Sequence, residues 1–415
     1  MMNEQLKWAI DLVENGQYEQ GIEHIKQLLQ NADEETSFEI AMLYQEWGMV
    51  QEAHKILIWL QKRHPGDSHI LMALAEIEID LDKEDQAIEW LLTIHQLDEN
   101  YLSAQVLLAD LYQAQGLEEA AERRLINARK LTPNEPLLTF ALAEFYATTG
   151  QSTHAVELYR TLIGEPDLEH ENIELKLAEV LSYSGEFEEA LNHYKKGLEE
   201  ATSIDGLFGY AVTAIQIKQF RTAIQALEEL KDIDPQYSTL YPLLAKAYEE
   251  EGAIEEALET VKAGIKVDEF NEQLLLEAAT LSMKVKDTSM AEHYLVEVLN
   301  KDPENIDALK KLVEIKREKE AFAEIISLLD DEQMTDPELL WYLASAYVEE
   351  DALENARDIY QQIVAHFNEN AAFLKEYGEV QWQLGAQDEA MSLFTQALAL
   401  DPEDEDLLAF LERIE

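Results

Sequence analysis

The chain has 415 residues, with 31 lysines and arginines against 86 aspartates and glutamates, giving a formal charge of −55 at pH 7. That charge argues against nucleic acid, which calls for a basic footprint, and equally against an anionic membrane surface. Cysteine is absent, which excludes disulfides, thiol catalysis and cysteine-ligated zinc, while a hydrophobic content of 47% fits a folded chain.

The opening stretch, MMNEQLKWAIDLVENGQ, has no basic start and no long apolar core, so it reads as a first helix and not as a leader. No later stretch reaches the roughly 18 apolar residues of a membrane helix, and a cytoplasmic location is expected. Residues 2–33 hold Trp8, Ala9 and Leu12, then Gly16, then Gly21 and Ile25. The pattern is cleanest over residues 102–133. Leu108, Ala109 and Tyr112 share one side of a helix, Gly116 breaks it, Ala121, Leu125 and Ala128 mark a second helix, and Pro133 stops that one. Such a pair cannot bury its apolar faces alone and needs copies of itself on either side. Glu34 and Glu35 beside Ser37 give the second pair an acidic start, suited to a helix N-terminus. The loop over 163–172 lengthens one interval. Around the seventh copy Lys218 replaces the turn glycine, and Gly206 and Gly209 are expected to loosen the helix before it. Pro242 in the eighth must lie in a first helical turn. The tenth copy is the most degenerate: Ile325 stands where alanine is expected, and a break or hinge is predicted near 300–336. LASAY at 343–347, Ala356, Tyr360, Gly378, Gly385, Ala390 and Phe394 restore the pattern, and Leu407, Leu408 and Leu411 predict a last helix.

One ladder of small residues runs Ala9, Ala41, Ala75, Ala109, Ala143, Ala178, Ala211, Ala245, Ala279, Val313, Ala344 and Gly378, and seven of its eleven intervals are 34 residues. A second, twelve residues on, runs from Gly21 and Ala53 through Ala121 and Ala223 to Ala390, and turn glycines and closing prolines keep the same period. The sequence therefore resembles the tetratricopeptide repeat (TPR) family, whose unit is a 34-residue helix–turn–helix, and is similar to the stand-alone acidic TPR proteins of Gram-positive bacteria. The resemblance spans about twelve repeats, from residue 2 to 402. It implies an all-α, right-handed superhelical solenoid forming a single domain over 1–415, closed by a capping helix at 403–415.

No catalytic constellation is present. There is no HExxH pair, no phosphate-cradling glycine loop and no GxSxG turn. Asp80, Asp82 and Glu84 superficially resemble a calcium loop, but Leu91 stands where the bidentate acid belongs. The reading is a non-enzyme with no metal and no cofactor. The TPR resemblance places the first helix of each repeat on a concave face, with residues three before and one after the ladder pointing inward. Those positions give an apolar stripe of Met72, Val106, Phe140 and Leu175 flanked by an acid row of Glu76, Asp110, Glu144 and Glu179. The expected function is a protein-binding scaffold or adaptor whose groove takes a basic amphipathic segment of a protein or peptide. The alternative is a regulatory sensor whose superhelix changes when a small or peptide ligand binds. Two readings of the acidity stay open, binding or solvation, and so do the partner's identity and the oligomeric state. Lys310, Lys311, Lys316, Arg317 and Lys319 form a lone basic cluster, expected to dock on the chain's own acidic surface, on a second copy, or to lie in solvent.

Overall fold

The computed structural model describes residues 2–330 and 334–414. Residues 331–333, inside the segment where the sequence suggests a break, lie outside the described residues. Secondary structure among the described residues is helical throughout, and contacts divide the chain into two compact units, Met1–Ile217 and Lys218–Glu415.

The first unit holds α1 (Met2–Glu14), α2 (Tyr18–Leu29), α3 (Glu34–Glu46), α4 (Val50–Arg63), α5 (Ser68–Asp80), α6 (Glu84–Leu92), α7 (Tyr101–Ala114), α8 (Glu118–Leu131), α9 (Pro136–Thr148), α10 (Ser152–Leu162), α11 (Ile173–Tyr183), α12 (Phe187–Glu200) and α13 (Ile204–Gln216). The second holds α14 (Phe220–Ile233), α15 (Leu240–Glu250), α16 (Ile254–Val267), α17 (Glu272–Lys284), α18 (Thr288–Lys301), α19 (Ile306–Glu318), α20 (Phe322–Leu329), α21 (Pro337–Glu349), α22 (Leu353–Phe367), α23 (Ala371–Gln383), α24 (Gln387–Leu400) and α25 (Glu405–Ile414). None of the described helices is long and apolar enough to cross a membrane.

The small-residue ladders are where paired helices meet. Ala9, Ala41, Ala75, Ala143 and Ala178 of the first ladder are fully buried, as are Ala53, Ala87, Ala121 and Ala155 of the second. Gly378 is glycine for a specific reason: a Cβ there would lie 2.6 Å from the ring of Phe394 on the partner helix. In the degenerate repeat, Val313 and Ile325 are both fully buried, so the ladder continues with larger residues on a second helix, α20, of only 8 residues. Side-chain caps set several first-helix starts. Asp33, Asp67, Asn271, Asn305, Asp336 and Asn370 each accept a hydrogen bond from a backbone N–H in the first turn.

The turns are more regular than the glycines suggest. Gly16, Gly48, Gly116, Gly150, Gly185, Gly252 and Gly385 all have positive φ, and Asp82, Lys218, Lys286, Glu320 and Asp351 adopt the same left-handed conformation at the equivalent place, with φ between 53° and 63°. The closing hydrogen bonds match as well. Gln17 N–H reaches the Leu12 carbonyl at 2.8 Å, and Asp287 N–H reaches the Ser282 carbonyl at 2.9 Å. Lys218 shares the left-handed backbone of the glycines it replaces.

One expectation needs correction. Gly206 and Gly209 do not loosen α13, which runs unbroken from Ile204 with Ser203 as its cap. They mark close approaches: a Cβ at Gly209 would sit 2.5 Å from the Tyr194 hydroxyl, and one at Gly206 would lie 2.7 Å from Ser203 Oγ and 3.0 Å from Leu175. In the last helix Leu407 is 1% exposed and Phe410 packs on Trp382 and Phe394, whereas Leu408 stays 42% exposed. Pro242 occupies the third position of α15, where its missing N–H costs nothing.

Candidate partner-binding face

First helices of successive repeats lie side by side and exchange polar contacts. Gln113 of α7 donates to Thr148 of α9 at 2.7 Å, Ser182 of α11 bonds Thr213 of α13 at 2.8 Å, and Trp341 of α21 donates to Glu376 of α23 at 2.7 Å. Within each unit this contiguity lets residues at one register of the repeat form a continuous surface.

The eight residues singled out by the sequence are not alike on that surface. Met72, Val106 and Phe140 are half-buried and rest against the cores beneath them. Leu175 is only 9% exposed, wedged against Gly197 and Gly206, so it belongs mainly to the core. Among the acids, Glu76 and Asp110 are exposed, and burial of one side of each carboxyl by the neighbouring helices raises its pKa. For Glu76 the nearby Asp80 adds to the rise, while a hydrogen bond to Gln45 opposes it. Glu179 is half-buried, and its pKa is pushed up by burial first and by Glu144 and Asp205 as well, with Lys176 opposing. Glu144 is already engaged: it accepts from the Tyr159 hydroxyl and from Lys176 Nζ at 3.0 Å. Its proximity pushes the Tyr159 phenol up, after burial.

The same electrostatic signature recurs in the second unit. Burial raises the Glu379 carboxyl on α23, and it raises Glu277 on α17 to about 7, aided by Glu249 and opposed by Lys246. Carboxyls held below their usual range lie elsewhere. Asp33 and Asp404, at helix starts, are held down first by hydrogen bonds from Thr36 and Lys375 respectively, and Glu189, Glu259 and Glu292, on second helices, by basic partners. Among the described residues, every carboxyl with a raised pKa sits on a first helix, two before or one after the ladder residue.

Hollows open along this face. One of about 620 Å³ is lined by Glu179, Asp205, Tyr183, Phe187, Tyr194, Phe208 and Val212. Another, of about 720 Å³, lies among Leu6, Ile10, Phe38, Met42 and Leu43 with Glu39, Glu46 and Glu76 at its rim. The sequence reading passed over Ile10 and Met42. The signal was available, because they stand one after the ladder in the first two repeats, the register occupied by acids in the next four.

Three of the five residues of the basic cluster form ion pairs within the chain. Lys310 pairs with Asp336 and Glu338, Lys316 with Glu292 and Glu324, and Lys319 with Glu292 at 2.6 Å, while Arg317 lies 5.0 Å over the Tyr342 ring. His64 pairs with Glu34 at 2.7 Å and His69 with Glu99 at 2.9 Å. No group of three or more metal-ligating side chains occurs among the described residues.

Two segments match models of known families: residues 113–166 match YpiA-like tetratricopeptide repeats, and residues 337–404 match YpiA-like C-terminal tetratricopeptide repeats. The TPR repeat-containing protein YpiA of Bacillus subtilis (strain 168) is 37% identical over 418 residues, covering 100% of this chain and 99% of that one. The chain belongs to the YpiA-like family of TPR proteins. Its fold is also that of the C-terminal part of a TPR repeat-containing protein from Cytophaga hutchinsonii, at a TM-score of 0.50 and 15% identity over 57% of this chain and 98% of that one. A structure of Naa15/Naa10 bound to HypK-THB aligns with 98% of this chain and 64% of its own, at a TM-score of 0.37 and 17% identity. Both segments matched to the YpiA-like models contain a first-helix glutamate that accepts a hydrogen bond from a second-helix tyrosine, Tyr159 to Glu144 and Tyr360 to Glu376. Membership of this TPR family makes the chain a repeat scaffold for protein interaction in general.

Proposed function

We propose that the chain is a non-catalytic cytoplasmic adaptor that holds a basic amphipathic segment of a partner protein on its first-helix face. The face centres on Met72, Glu76, Val106, Asp110, Phe140, Glu144 and Glu179, with Leu175 beneath them in the core. The observation that carries this reading is the first-helix register that repeats a carboxylate, Glu76, Asp110 and Glu179, with no ion pair among the described residues. Half-buried Met72, Val106 and Phe140 stand four residues before it or in the repeat between, and the raised carboxyl pKa values fall on that register. An acid present only for solvation gains nothing from being partly desolvated beside another acid, as Glu179 is beside Glu144 and Asp205. A lysine or arginine from a partner would stabilise those same carboxylates. Phe140 and Val106 supply apolar footing between them. Glu144 contributes through Lys176 and Tyr159, which hold it in place, while Glu76, Asp110 and Glu179 offer the charge.

The test is affinity capture from lysate of the source organism at low and high salt, comparing wild type with the triple variant Glu76→Gln, Asp110→Asn, Glu179→Gln after circular dichroism shows equal folding. A protein with a basic segment, held by wild type at low salt and lost by the variant, supports the reading. Equal capture by both assigns the acids to solvation. The sensor alternative forecasts a change in small-angle scattering when the captured partner's segment is added, whereas a plain adaptor keeps its own dimensions.

A further inference from the structure

The hollow among the first three repeats differs in character from the rest of the face. Its floor is aliphatic and aromatic, from Leu6, Ile10, Phe38 and Met42, and the last three are only half-buried although they rest on the core. It continues into a second hollow of about 420 Å³ through two shared residues, Phe38 and Glu39. Side chains on adjacent first helices thus leave an apolar trough open to solvent. An open apolar hollow with a charged rim is what partner-binding grooves present.

The rim indicates what covers it. Glu39, Glu46 and Glu76 border the larger hollow and Glu35 the smaller, and among the described residues none of the four makes an ion pair. Glu34, on the same helix as Glu35, is by contrast already held by Arg63 and His64. Lys7 is the one lysine in the lining. An acidic partner or a second copy of this acidic chain would bring like charges together, so the complementary occupant is cationic at its edges and aliphatic in its middle. The trough also joins the acid row, because Glu76 belongs to both. We infer that the trough at Ile10, Phe38 and Met42 is the apolar anchor site for an amphipathic helix of a partner protein, whose leucine-like face fills the hollow while flanking lysines or arginines meet Glu39, Glu46 and Glu76. This rests on the reading of the first-helix face as a binding surface and assigns apolar anchoring to the first three repeats and charge recognition to the next.

The probe is a fluorescein-labelled 18-residue helix of leucine and lysine, with leucine at every third and fourth position, beside a counterpart with glutamate for lysine. Both are titrated by anisotropy against the full chain. Wild type is expected to bind the lysine peptide with an affinity that falls as salt rises, and to bind the glutamate peptide at least tenfold more weakly. Met42→Glu adds negative charge, so diffuse attraction to an acidic surface would hold or strengthen, whereas loss of the anchor weakens binding about tenfold or more. Met391→Glu, the same change at an exposed site on α24, leaves binding unchanged. Should Met42→Glu fail to fold, the near-isosteric Met42→Gln is expected to weaken binding severalfold. Wild-type affinity in the folded Met42 variants, or equal binding of the glutamate peptide, overturns the inference. Asp110→Asn with Glu179→Gln separates the two readings: if that variant binds normally while Met42→Glu does not, the acid row fails and the anchor stands.

Discussion

Four of the left-handed turn residues, Asp82, Lys286, Glu320 and Asp351, close the same hydrogen-bonded motif that glycine closes elsewhere. For an L-residue this conformation brings Cβ against the following carbonyl and costs about 1–2 kcal/mol. Glycine removes that cost but gives up about 0.5–1 kcal/mol in the freedom of the unfolded chain. The net gain from Lys286→Gly or Glu320→Gly is therefore about 0.5–1 kcal/mol each, and less for the aspartates, which tolerate this region better. Neither Lys286 nor Glu320 makes an ion pair among the described residues, so little is lost with the side chain. Their turns lie in different repeats, and the double variant should gain about 1–2 kcal/mol. With a urea dependence of about 2–3 kcal/mol per molar, the unfolding midpoint of the second unit should rise by roughly 0.5 M. Lys286→Ala is the control, since it removes the side chain but keeps the strained Cβ and should be nearly neutral. The reverse change, Gly116→Ala, should lose about 1 kcal/mol at φ 73°. Equal stability of Lys286→Gly and Lys286→Ala would refute the argument.

Two further changes test the packing and electrostatics of the second unit. Gly378→Ala forces a methyl against the fully buried Phe394 ring and should cost about 1–3 kcal/mol in urea denaturation. Adding Phe394→Leu recreates the arrangement of Ala109 with Leu125 and should recover more than half of that loss. Glu277, raised to about 7 by burial and Glu249, binds its proton more tightly folded than unfolded. Its contribution is absent at pH values below the ordinary glutamate range, grows as pH rises towards 7, and is a full destabilisation above 7. Glu277→Gln should therefore match wild type near pH 4 and exceed it at pH 8 by up to roughly 3 kcal/mol, the rise from 4.5 to about 7 being worth about 1.4 kcal/mol per unit before solvent screening reduces it. A difference that does not change with pH would show that the group is not titrating as described.

The sequence carries the repeat because the repeat is written in local spacing. A small residue every 34 positions fixes which helix faces touch, and burial of Ala41, Ala75 and Ala143 follows directly. Glycine, however, is a marker of turn conformation and not its cause. The hydrogen bonds of the motif impose the left-handed residue even where lysine or glutamate occupies it, so counting glycines hides five of the turns. Gly206 and Gly209 mislead in the opposite direction. Without coordinates, a helical glycine reads as weakness, while here each makes room for a side chain from another part of the chain. The candidate face was legible as a register but not as chemistry. Nothing in the spacing tells that Tyr159 reaches Glu144, that Leu175 is taken into the core, or that Lys316 spends its charge on Glu292 and Glu324. Those outcomes depend on side-chain reach between elements.

The distribution of acids bears on why the chain is so negative. A protein that needs only solubility can place its carboxylates where water or helix N-termini favour them, as Asp33 and Asp404 are placed. It has no reason to line one face with carboxyls that the fold disfavours as anions. Here five such carboxyls occupy two register positions of the first helices, in both compact units, and the basic residues that could have relieved them are largely spent elsewhere, on Glu34, Glu251, Glu292 and Glu338. Among the described residues none of the five makes an ion pair, while nearby lysines pair with Glu144, Glu249 and Asp404 instead. On the proposed reading a cation from a partner would relieve those carboxylates, and the apolar trough beginning at Ile10 would give the segment that bears it somewhere to rest its uncharged face.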